Sequence, residues 1–117
     1  MMEVYTFVYN PFRMGGNVRQ PTRTTIEEYE PLTLGGPCAV FHNPIRDLWH
    51  VAVEACGAIV STAKTKEDAI AQARDDLATA DLEIVAKQIE QGKKDLARAK
   101  HVDRDEFFTL FKAKAAP

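Results

Sequence analysis

Between residues 48 and 82 the apolar positions change period once, and that change lays out a fold unit. Trp49, Val51 and Val53 alternate with His50, Ala52 and Glu54, the period of two expected of a strand with one buried face. Ala55, Cys56 and Gly57 are small; Gly57 reaches positive φ without penalty, so the chain can reverse there. Residues 58–62 (AIVST) supply a β-branched return strand. Thr65 then offers its hydroxyl to the free amides of a helix start, with Asp68 in the reciprocal acidic place of a capping box. Ile70, Ala73, Leu77 and Ala80 follow at helical spacing, with Lys66, Arg74 and Asp75 turned outward. The two best apolar surfaces should meet, burying Trp49 against Ile70, Ala73 and Leu77.

The same reading extends along the rest of the chain. Residues 3–9 (EVYTFVY) form a strand with apolar or aromatic groups on both faces, as expected of a central or doubly covered position. Residues 12–24 read as a loop, punctuated by Gly15-Gly16-Asn17 and Pro21. That loop carries Arg13, Arg19 and Arg23, an arm able to meet an acidic surface or stay solvated. Residues 24–34 alternate loosely or form one helical turn, with Pro31 excluding a long helix. Gly35-Gly36-Pro37 precedes a strand over 38–42, and residues 43–47 turn it into the Trp49 strand.

Beyond Asp81 the helical pattern resumes at Leu82, Val85, Ala86, Ile89 and Leu96. Thr79-Ala80-Asp81 fits either a break between helices or one long helix. Gly92 costs about 1 kcal/mol inside a helix and predicts a bend or an end. Asp103 with Glu106 caps a last short helix bearing Phe107, Phe108, Leu110 and Phe111. Such a helix needs cover: its own sheet, a homodimer, or another protein. The expected fold is α+β, an antiparallel sheet of three to five strands with one packed helix. Residues 1–81 form the core, with the Arg-containing loop at 12–24, and residues 82–117 a helical extension.

At 117 residues, 45% of them hydrophobic, the chain is large enough for one real core. No apolar run reaches the length of a membrane span, and the first residues lack the pattern of a secretory leader, so a cytoplasmic setting is expected. A net charge of −2 speaks against broad, sequence-independent nucleic-acid binding; sequence-specific DNA binding stays open. His42, His50 and His101 show no zinc-ligand spacing. The Gly-Gly pair lacks the lysine and helix start of a phosphate loop. Carboxylates adjacent in sequence, such as Asp75-Asp76, diverge on a helix and do not converge on one substrate. No catalytic, metal or cofactor set stands out. A small enzyme or ligand-binding protein built on cross-strand His42 and His50 with Cys56 is the alternative from another class.

Trp49-His50-Val51-Ala52-Val53, Gly57, Val60-Ser61-Thr62 and the run Thr65-Lys66-Glu67-Asp68-Ala69-Ile70-Ala71 together resemble the small HicB-like antitoxin domain. The likeness covers residues 40–80, with Cys56-Gly57 in place of the family's Pro-Gly. Ala86, Ile89-Glu90, Gly92 and Asp95, followed by His101-Val102-Asp103 and Asp105-Glu106-Phe107, are similar to the tail of antitoxins that oppose RelE/ParE-type toxins, with Ala99-Lys100 in place of the usual Gly-Arg. These resemblances imply a β-β-β-α-β unit and a small regulatory interaction protein that neutralises a protein partner, such as a small basic toxin, and is itself a homodimer. A phage or mobile-element inhibitor of a host complex is a related alternative. The partner surface is expected at Phe107, Phe108, Leu110 and Phe111, with Arg13, Arg19 and Arg23.

Overall fold

The computed structural model describes residues 1–10 and 18–115, with side chains for residues 1–7 and 20–109. Its class is α+β. Strands β1 (Met2–Asn10), β2 (Val18–Ile26), β3 (Glu30–Thr33), β4 (Pro37–Asn43), β5 (Leu48–Val53) and β6 (Ile59–Ala63) lead into helices α1 (Lys66–Ala78) and α2 (Leu82–Arg98). A two-residue strand β7 (Lys100–His101) and helix α3 (Arg104–Ala115) complete the chain. One sheet has the order β3-β4-β5-β6, the other β1-β2-β7. Neighbouring strands are antiparallel except β7, which lies parallel to β2.

The central unit forms as its pattern predicts. Gly57 sits at φ 70° and donates its N–H to the Val53 carbonyl at 2.6 Å, closing the turn between β5 and β6. Thr65 caps α1 by accepting from the Asp68 amide at 3.2 Å. The Ser61 hydroxyl donates to the Ala69 carbonyl at 2.7 Å and pins the helix to β6. Ala69 and Ala73, both fully buried, let α1 approach Cys38, Val40 and Val51 closely. Trp49 is only half-buried, at the margin of this cluster. It stands between His42 and Ala63 in the ladder, its ring 4.9 Å from that of His42. The small alanines of α1 are centred on Val40 and Val51, so the indole borders the contact rather than filling it.

β5 is covered on both faces, not one. His50 and Ala52, expected outward, are fully buried because β1, β2 and α3 close over them. Met2, Val4 and Ile26 from one sheet meet Ala39, Phe41 and Ala52 from the other, and Val102, Phe107 and Phe108 fill the space between. The boundary expected at residue 81 therefore separates no appendage: the C-terminal stretch builds the same core as the first strand.

Two further expectations are corrected, and one left open is decided. Residues 18–24 are strand, not loop, because β2 pairs with β1 from Val18 to Ile26. Pro21 is tolerated since β7 reaches only Thr22 and Arg23, leaving the neighbouring edge of β2 open at the proline. Gly92 does not end α2, which continues to Arg98; it lies buried within it. A Cβ there would come within 3.0 Å of Cys56 Cβ and 3.1 Å of its Sγ, so the missing side chain allows the helix to settle on the β5–β6 turn. α1 and α2 are separate helices, with Asp81 capping α2 through the amides of Glu83 and Ile84.

β1 lies at the end of its sheet but is not bare. Tyr5 donates its N–H to the Gly57 carbonyl at 2.6 Å and bridges Ala58 in parallel, stitching the two sheets together. A Cβ on Gly57 would lie 2.4 Å from the Glu3 carbonyl oxygen. Gly57→Ala is expected to cost about 1–3 kcal/mol from its left-handed backbone alone and to push β1 off the turn. Hydrogen exchange would report this as lost protection at the Tyr5 amide.

Candidate functional site

The residues singled out in the sequence are not gathered in one place. His42 pairs across the ladder with Trp49 and His50 with Phe41, so the two histidines lie one step out of register and on opposite faces. His42 Nε2 meets Asp47 Oδ1 at 2.7 Å near the surface. His50 is buried, its Nδ1 2.8 Å from the Thr62 hydroxyl, and its pKa is pushed down to about 4, first by burial and then by the charges of Arg46 and His42. Cys56 is buried under Gly92. Among the described residues no group of three His, Cys, Asp or Glu is placed to hold a metal ion.

The expected partner surface is also dispersed. Phe107 and Phe108 are fully buried inside the chain's own core, with Phe108 6.5 Å from the Phe41 ring. The side chains of Leu110, Phe111 and Arg19, and Arg13 altogether, lie outside the described residues. Arg23 lies in β2, where it faces Glu3 at 3.7 Å and its carbonyl accepts from the Val102 amide.

The structure instead draws attention to α2. Its C-terminal half lies over the outer face of β1 and β2, where Asp95, Arg98 and Ala99 meet Tyr5, Phe7 and Pro21. Its N-terminal half overhangs the end of α1. Below it an apolar hollow of about 130 Å³ is lined by Leu34, Val53, Leu77, Leu82, Val85 and Ile89, among others. A second hollow on the other side of Val85 and Ile89 extends to Ile59 and Val60. Leu82, on the stripe with Val85 and Ile89, is 80% exposed; Ile84, 54% exposed, lies on another face of the helix. The Cys38 thiol borders this hollow, and burial outweighs a backbone hydrogen bond from Leu34 to push its pKa up. The groove is therefore apolar.

A second cleft is bordered by Glu28, Tyr29, Glu30, His42, Trp49 and Arg104. Its charges are taken up internally: Glu30 pairs with Lys66, and Glu28 with Arg104 at 3.9 Å.

Sequence reasoning found the stripe Leu82, Val85, Ile89 but not the groove. Leu34 follows β3 and Val53 ends β5, and nothing local announces that they converge under α2. Comparison with protein-family models, with curated proteins and with solved structures finds no match for this chain. β4, β5, β6 and α1 follow one another as β-β-β-α, and the next element is a helix where the HicB-like pattern has a strand. No helix among the described residues is long and apolar enough to cross a membrane.

Proposed function

We propose that this is a small regulatory interaction protein of the cytoplasm that works by binding a protein partner, in the manner of an antitoxin that neutralises its target by occupying it. The observation that carries the reading is Leu82, 80% exposed on the same stripe of α2 as Val85 and Ile89, at a hollow lined by Leu34, Val53 and Leu77. An amphipathic helix beside an open groove is a recurrent recognition device. The resemblance of residues 40–80 to HicB-like antitoxins supports the same class. The binding surface moves in this reading from the buried phenylalanines of α3 to the first half of α2.

The test is co-expression with the product of the adjacent reading frame. The variant Leu82→Glu should lose co-purification and any relief of growth arrest. Its melting temperature should stay near that of the parent, because the side chain is already 80% exposed. Retained association and relief in this variant would sink the reading.

A further inference from the structure

We infer that the hollow under α2 is a binding site for a small apolar molecule, a lone aromatic ring or a short branched hydrocarbon. Its volume of about 130 Å³ is close to the roughly 150 Å³ of an apolar protein cavity that stays dry and admits benzene. The walls select for the same chemistry. Leu34, Val53, Leu77, Val85 and Ile89 supply aliphatic surface, and among the described residues no charged, hydroxyl or amide side chain lines it. The Cys38 thiol stands in the wall and is already hydrogen-bonded to the Leu34 backbone. Much of the wall's backbone is engaged as well. Leu34 donates its N–H to the Gly36 carbonyl at 3.0 Å, and Glu54 donates to the Pro37 carbonyl at 3.0 Å. Gly57 donates to the Val53 carbonyl at 2.6 Å. A water molecule held inside a protein needs several polar partners, and this wall has few to give.

The hollow stays open because α2 is held above it at two points. At one end Asp81 caps the helix, two residues after the C-cap of α1 at Thr79. At the other, Gly92 rests so close to Cys56 that a Cβ would lie 3.0 Å from the Cys56 Cβ. Roughly 16 Å of helix spans these supports, and Val85 and Ile89 on its underside are only half-buried. Interiors at ordinary packing density leave few voids of this size, so the space follows from how the two helices are joined and seated. Leu82 forms part of the lip, and an occupant and a protein partner would share that side chain. The site belongs to the isolated chain and needs no partner.

Methyl-resolved NMR of the full chain, titrated with benzene and separately with phenol, is the test. Benzene should shift the methyls of Val53, Leu77, Val85 and Ile89. It should leave in place those of Val4 and Ile26, in the core between the sheets. Phenol should bind at least about tenfold more weakly, since its hydroxyl finds no partner in the wall. Val85→Phe puts a ring into the space and should abolish benzene binding while raising the melting temperature. If that variant does not fold, Ala55→Leu, at an exposed position of the same wall, should weaken binding in its place. Unchanged methyls at saturating benzene, equal affinity for phenol, or full binding by the filled variant would overturn the site. So would sedimentation as a dimer that excludes benzene, since a second copy would then fill the hollow. Loss or retention of the partner on Leu82→Glu does not enter these shifts, so the two readings fail separately.

Discussion

Phe107→Ala is expected to lower the unfolding free energy by about 3–5 kcal/mol, a large share of the 5–15 kcal/mol typical of a domain. The ring is fully buried and packs edge-on to Phe108 at 5.9 Å between centroids. Around it lie Met2, Val4 and Ile26 from one sheet and Phe41 and Ala52 from the other. Both sheets are held apart by strand pairing, so neither can collapse into the space left behind. The start of α3 is fixed by Asp103, which accepts from the Glu106 amide at 2.9 Å, and this keeps the ring aimed inward. Urea denaturation is the measurement. Had the phenylalanines been partner anchors on a loose extension, the same substitution would have left the midpoint unchanged.

Acidification should destabilise the protein through His50. Its pKa is held down to about 4 in the folded chain and returns to about 6.5 in the unfolded one. Between these values the unfolded chain binds a proton that the folded chain refuses, so stability rises with pH across the window. Above pH 7 the neutral imidazole costs nothing further. On descending to pH 4 the contribution lost is about 3 kcal/mol. His50→Gln removes the titrating group, so the difference between parent and variant midpoints should shrink steadily from pH 7 to pH 4. A pH-independent difference would show that the ring is not kept neutral by its surroundings.

Those two residues also show where reading the sequence succeeds and where it stops. The turn at Gly57, the cap at Thr65 and the alternation of β5 are local, and each is decided within a few residues of itself. His50 looked solvent-facing because it alternates with Trp49. It is buried because a second sheet, more than twenty residues away in sequence, closes over it. β2 was hidden by Pro21 and two arginines, residues that argue against a strand unless its partner is already known. Gly92 reads as a helix fault when only the helix is considered, and becomes a point of close contact once Cys56 is placed beneath it. The candidate groove was half legible. Its helix stripe shows in the sequence, whereas the opposing wall is assembled from the loop after β3, the end of β5 and the end of α1, which no single periodicity links.

The core between the two sheets has a consequence for the order of synthesis. Residues 37–78 can close their hairpins and dock α1 while the ribosome is still adding the rest. Met2, Val4 and Ile26 cannot be covered fully until Val102, Phe107 and Phe108 have left the exit tunnel. Until then β1 and β2 form a two-stranded ribbon with one bare apolar side, marginal in water and exposed to wrong pairing. A nascent chain stopped before residue 107 should consequently be degraded or captured by a chaperone, even though most of its strands have been made.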